Sequence, residues 1–212
     1  MSGDGRMTAL TEWRVVPVVV LDDASRAAAL GEALVGGGLP VAEVTFRTPA
    51  AADTIRVLAQ RGDMWVGAGT VLTPDQVDVA VDAGAAFVVS PGVSRAVIER
   101  CAQRGVLALP GAVTATEVQA AVEWGLTTVK FFPAAVAGGP AAISALAAPF
   151  AGVSFMPTGG IGPDNLADYL AIPAVIAVGG SWMVPRHLIN AGDVQAVSAL
   201  VSSAVAAAAR AA

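Results

Sequence analysis

The sequence predicts an α/β chain folded as a single (β/α)8 TIM barrel over residues 1–212, with an N-terminal extension and a C-terminal helix. Three observations carry that prediction. Short β-rich runs begin near Val15, Val41, Trp65, Ala86, Val106, Thr127, Val153 and Val175, spaced 20 to 26 residues apart. Helical patterns with start and stop signals fill the intervals, and a length of 212 residues suits one α/β domain with a large core. A strand alternating with a helix eight times implies a parallel sheet, and eight units in so compact a chain favour closure into a barrel; an open doubly wound sheet is the runner-up.

The helices follow in order. Thr48-Pro49 to Gly62, Thr73-Pro74 to Gly84, Ser94 to Gly105 and Thr114 to Gly125 each open on a hydroxyl residue and close on glycine. A hydroxyl side chain can accept from the amides of the first turn, proline fits the first helical position, and glycine tolerates the left-handed closing residue. Thr114 with Glu117 makes a capping box. Apolar stripes at three- and four-residue steps, such as Val93, Ala96, Val97 and Cys101 or Val118, Ala121 and Val122, assign these helices an inner face, and Cys101 belongs to it. The stretch from Asp193 to Ala212 is alanine-rich and helix-compatible, placed to pack against the outside of the barrel.

Composition excludes several classes of function. Twelve basic against seventeen acidic residues give a net charge of −5, and no basic cluster is present to neutralise a phosphate backbone, so no nucleic-acid partner is expected. Residues 131–163 contain no charged side chain, but Pro133, Gly138-Gly139-Pro140, Pro149, Gly152 and Pro157 break them up well short of the ~20 apolar residues a spanning helix needs, so no membrane partner is expected either. One cysteine cannot form an internal disulfide, and residues 1–6 lack the pattern of a signal peptide, which makes the expected compartment cytoplasmic. Charged residues amount to 14%, against roughly 25% in an average soluble chain, so part of the surface is expected to be covered by further copies. His187 is the single histidine and no acidic pair is clustered, so no metal and no cofactor is expected.

If the barrel is right, function resides where strands end and helices begin. The chain has eleven arginines and a single lysine, Lys130, in the apolar run 127–133. Arginine stays protonated, whereas a lysine amine can be desolvated, lose its proton and attack a carbonyl, which makes Lys130 a candidate Schiff-base nucleophile; the bland reading is a lysine at a strand end with its ammonium in water. Period two places Thr128, Lys130 and Phe132 on one face of the sixth strand, and Glu43, Thr45 and Arg47 on one face of the second. Facing inward, Glu43 can serve as general acid and base and the Arg47 fork suits a carboxylate; facing outward, they form an ordinary surface ion pair. Gly159-Gly160 and Gly179-Gly180-Ser181 end the last two strands, where exposed amides can hold a phosphate or can simply make tight turns. Gly67-Ala68-Gly69-Thr70 lacks the third glycine of a dinucleotide fingerprint, since Leu72 occupies that place.

Six blocks together, 43–48, 67–72, 90–92, 130–134, 157–160 and 179–182, closely resemble the bacterial 2-keto-3-deoxy-6-phosphogluconate (KDPG) and 2-keto-4-hydroxyglutarate (KHG) aldolase family. They occur in order and span the chain from about Val15 to the C-terminal helix. The resemblance implies a class I, pyruvate-forming lyase of the Entner–Doudoroff pathway acting on a small keto acid, without cofactor or metal, and assembled as a homotrimer. It also implies roles: Lys130 as the Schiff-base lysine, Glu43 as the proton shuttle, Arg47 and Thr70 on the substrate carboxylate, Pro91, Phe132 and Thr158 as pocket walls, and Gly159, Gly160, Gly180 and Ser181 on the distal phosphate. Ala135 stands where many members have an acidic residue, and Phe46 where a smaller aliphatic is common; both bear on substrate range. Preference for 4-hydroxy-2-oxoglutarate, and a catalytically silent barrel that binds a phosphorylated ligand, are the alternatives.

Overall fold

Eight parallel strands make up the structure, a computed structural model that describes residues 10–211. They are β1 (Val15–Val19), β2 (Val41–Thr45), β3 (Trp65–Gly69), β4 (Phe87–Val89), β5 (Leu107–Leu109), β6 (Thr128–Phe131), β7 (Ser154–Pro157) and β8 (Val178–Gly180). Six are hydrogen-bonded side by side in the order β5-β4-β3-β2-β1-β8, and β6 pairs with β7. Two narrow seams join these pieces into a ring. At the first, the Lys130 N–H donates to the Pro110 carbonyl and the Ala112 N–H to the Lys130 carbonyl, both at 2.8 Å. At the second, parallel bridges link Phe155 with Val175 and Thr158 with Gly179, and the Ile176 N–H donates to the Phe155 carbonyl at 3.1 Å. A strand order that returns on itself is a barrel and excludes the open sheet. The expected N-terminal extension, with its lack of a signal pattern at residues 1–6, falls on residues 1–9 and, like Ala212, lies outside the described residues.

Helices α1 (Ala27–Gly36), α2 (Ala51–Gln60), α3 (Pro74–Asp82), α4 (Arg95–Arg104), α5 (Ala115–Glu123), α6 (Gly139–Ala147), α7 (Leu166–Leu170), α8 (Arg186–Ala191) and α9 (Val194–Arg210) follow the strands, with a 3-10 turn at Ala24–Arg26 leading into α1. Local chemistry sets their ends. The Thr73 hydroxyl accepts the Gln76 amide at 3.3 Å with Pro74 at the first position, and Thr114 and Glu117 complete the capping box. Gly105 closes α4 at φ 67°, a left-handed angle that suits a residue without a Cβ. The expected cap at Thr48 is not made. Helix α2 starts at Ala51 without a side-chain cap, because the Thr48 hydroxyl donates instead to the Leu21 carbonyl at 2.6 Å and ties the end of β2 to that of β1.

The core occupies the barrel interior and the layer between strands and helices. Phe87, Phe131, Phe155 and Tyr169 are fully buried, and Gly67 makes room for Phe87: a Cβ there would lie 2.2 Å from the ring. Helix α9 buries Val197, Val201, Ala204 and Ala208 and packs on α1, where Gly37 admits Val201. On the outside, Asp78 of α3 is held well below the usual carboxylate range by hydrogen bonds from Arg100 and Arg104 of α4. No described helix is long and apolar enough to cross a membrane.

Cys101 faces this core from α4 with no exposed area, and burial pushes its thiol up to about 11. At pH 8 roughly one part in a thousand is then thiolate, the reactive form. Ellman's reagent is expected to leave the native protein unlabelled and to titrate one thiol after denaturation; rapid stoichiometric labelling of the folded protein would contradict this packing.

Candidate active site

Strands β2 and β6 stand opposite one another in the ring, and each sends one titratable side chain into it. Glu43 is 0% exposed and Lys130 5% exposed. The Lys130 amine donates to Glu43 Oε1 at 3.1 Å, and its Nζ lies 5.1 Å from the centre of the Phe132 ring. The surface reading of both residues therefore fails: neither points into solvent, and Glu43 pairs with the lysine instead of Arg47.

Space for the glutamate comes from β3. In the β2–β3 register Glu43 faces Gly67 and Thr45 faces Gly69, and a Cβ on Gly69 would come within 2.3 Å of Glu43 Oε1. The carboxylate can reach the lysine only because its neighbouring strand carries a glycine there. Glu43 Oε2 is buried and makes no hydrogen bond. An acceptor left over in a protein interior calls for a partner that arrives with a ligand. Thr158 repeats the pattern: its hydroxyl is buried without a partner, set against Gly179, where a Cβ would lie 2.3 Å away.

Around this pair the expected residues divide into groups. Lys130 bonds Glu43 and lies over the Phe132 ring, and Gly159 backs that ring, where a Cβ would fall in van der Waals contact at 3.4 Å. The turn after β6 is laced to the turn after β7 by the Ala134 N–H to the Thr158 carbonyl at 2.8 Å and the Ala135 N–H to the Gly159 carbonyl at 3.0 Å. Gly159 and Gly160 take φ of 100° and 74°, and Gly160 leaves no room for a side chain beside Ala135. Gly180 is covered by the Trp182 ring. Thr70 and Pro91 follow β3 and β4 at the same end of the barrel. Thr70 holds φ 57°, an uncommon angle for a β-branched residue, between hydrogen bonds from Phe46 to Gly69 and from Val71 to Val89. The loop bearing Pro91 rests on Gly111, with the Ser90 hydroxyl turned back to the Gly92 carbonyl at 2.7 Å.

The polar column expected along β2 is shorter than its period implied. The strand ends at Thr45, whose hydroxyl donates to the Val19 carbonyl at 2.9 Å. Arg47, past the strand end, is exposed and lines a cleft of about 290 Å³ with Val18, Val20, Thr48, Ser181 and Arg186. Arg47 and Ser181, read separately as contacts for opposite ends of a substrate, thus share one opening. Sequence reasoning missed Arg186 and the space-making role of Gly69. Gly69 was visible as half of a glycine pair, but Arg186 carried no signal.

A barrel that presents one amine against one buried carboxylate, under glycine-rich turns, defines an enzyme site able to work on a carbonyl compound with protein groups. The chain belongs to the KDPG and KHG aldolase family, whose model matches residues 7–200. It is 51% identical over 193 residues to a 2-dehydro-3-deoxy-phosphogluconate aldolase of Treponema pallidum, covering 91% of this chain and 92% of that one. Against the KHG/KDPG aldolase of Escherichia coli K12 it is 43% identical over 197 residues, 92% of each chain. Its structure superposes with a TM-score of 0.89 on the KDPG aldolase of Legionella pneumophila, which holds pyruvate captured at low pH as a covalent carbinolamine; that match is 37% identical and covers 93% of this chain and 96% of the other.

Replacing Gly69 by Ala is expected to leave a folded barrel at a cost of about 1–3 kcal/mol from overpacking, while driving the Glu43 carboxylate away from the lysine amine. Thermal unfolding and a crystal structure of the variant check this. A Glu43–Lys130 distance still near 3.1 Å would show that Gly69 does not set the pair.

Proposed function

We propose that the chain is a class I aldolase that cleaves 2-dehydro-3-deoxy-6-phosphogluconate to pyruvate and D-glyceraldehyde 3-phosphate. The observation that carries this reading is the buried Lys130 amine 3.1 Å from Glu43, whose second oxygen has no partner. Lys130 adds to the C2 ketone and water leaves, giving an iminium. Glu43, through a water, takes the C4 hydroxyl proton as the C3–C4 bond breaks; the aldehyde departs and the bond's electrons pass into the iminium, leaving an enamine. The protonated Glu43 returns its proton to C3, and hydrolysis of the resulting imine frees pyruvate and the amine. One carboxylate serves both proton transfers, which suits a site with one buried acid.

In this scheme Arg47 and Thr70 hold the keto-acid carboxylate, while Pro91, Phe132 and Thr158 wall the reacting carbons. Gly159, Gly160, Gly180 and Ser181 receive the phosphate. No cofactor or metal enters. Residues 1–212 are read as one aldolase domain, acting in the cytoplasm as a homotrimer; exposed Leu72, Val79, Val122 and Val136 support burial of some surface between copies.

A second substrate, 4-hydroxy-2-oxoglutarate, giving pyruvate and glyoxylate, is favoured by the Arg47–Ser181 cleft, which suits a carboxylate at either end. Comparing kcat/KM for the two substrates separates the readings.

Borohydride reduction in the presence of pyruvate is expected to add a pyruvate-derived mass to the peptide containing Lys130. Lys130→Arg should abolish both the adduct and turnover without loss of fold. Glu43→Gln should still trap pyruvate but lower turnover about 10²–10⁴-fold. A folded, ligand-binding protein with no adduct would instead fit the catalytically silent barrel.

A further inference from the structure

Arg186 lies outside the six blocks that point to the family, yet it forms part of the same cleft as Arg47, Thr48 and Ser181. Its guanidinium is held in place. Nε donates to Asp22 Oδ2 at 2.8 Å and Nη2 to Asp22 Oδ1, so one edge of the fork is tied to the turn after β1. Asn190, one helical turn further along α8, donates to the same carboxylate at 2.5 Å. These hydrogen bonds, Arg186 first and Asn190 second, keep Asp22 below the usual carboxylate range. Nη1 makes no hydrogen bond among the described residues, so a guanidinium that lines the cleft keeps one nitrogen available to a ligand.

We propose that Arg186 is a specificity residue for the terminal phosphate of the substrate, and that Asp22 is its positioning residue. This rests on the phosphorylated-substrate reading above and extends it. A planar fork fixed along one edge loses little freedom when the other edge takes a phosphate oxygen, and charge-assisted hydrogen bonds are the stronger kind. Ser181 on the neighbouring wall of the cleft supplies a hydroxyl to a second oxygen. Asp22 offsets part of the arginine's charge, so recognition rests on the placing of donors: a phosphate with three acceptor oxygens can engage Nη1 and Ser181 together. Asp22 and Arg186 are 164 residues apart in the chain, so the fold, not local sequence, creates the arrangement.

The test compares kcat/KM for the 6-phosphorylated keto acid with that for the same six-carbon keto acid lacking phosphate, in wild type, Arg186→Gln, Asp22→Asn and the double variant. Arg186→Gln is expected to lower the phosphorylated-to-unphosphorylated ratio about tenfold to a hundredfold. Asp22→Asn should lower it less and add nothing further in the Arg186→Gln background, because Asp22 acts through the arginine. If Asp22 and Arg186 only strap the β1 turn to α8, the variants will lose thermal stability and slow both substrates alike, leaving the ratio unmoved; that result overturns the proposal. A wild-type ratio near one would overturn the phosphate reading itself and is seen before any variant is made. A normal wild-type ratio retained in Arg186→Gln overturns this inference alone.

Discussion

A carboxylate with no exposed surface and an amine with almost none face each other at 3.1 Å across the barrel, and much of the interior is arranged around that contact. Either group alone would be costly to bury, by several kcal/mol. Together they are tolerable only at close range, which fixes the positions of β2 and β6 and the stature of what lies between. Strand β3 meets this demand twice. Gly67 yields to the Phe87 ring and Gly69 to the Glu43 side chain, so one strand gives up two side chains to let its neighbours reach inward. A bulkier strand would fill the barrel and exclude the pair.

One of the two seams of the ring is closed by the residue that supplies the amine. The Lys130 peptide unit donates to Pro110 and accepts from Ala112 across the seam between β5 and β6, so its side chain projects from a backbone bonded on that side. The turns after β6 and β7 are bonded to one another. On the far side of the mouth the cleft lies between the ends of β8, β1 and β2 and is lined by longer, more exposed side chains. The barrel thus couples a rigid wall, where bond making would occur, with an open wall suited to recognition.

How much of this was legible in the sequence depends on the range of the interaction. The strand spacing, the caps at Thr73 and Thr114, and the inward faces of Glu43 and Lys130 follow from periods of two or a few residues, and the structure reproduces them. Period two failed at Arg47, because it holds only while the chain stays a strand, and β2 stops at Thr45. Thr48 looked like a helix cap by its neighbours but found a better acceptor in Leu21, a residue of another strand's end. The Gly69–Glu43 fit needs the register of two strands, and the Asp22–Arg186 bond needs the last strand paired beside the first; neither leaves a trace in local pattern.

The lopsided choice of cation has a chemical outcome for the molecule as a whole. Of the twelve lysine and arginine side chains eleven are guanidinium groups, and guanidinium groups do not condense with simple aldehydes to imines as primary amines do. The outer shell therefore offers no lysine amine to the reducing sugars and acylating agents that decorate a lysine-rich surface. Among the lysine and arginine side chains, the buried Lys130 alone offers an amine that can form an imine.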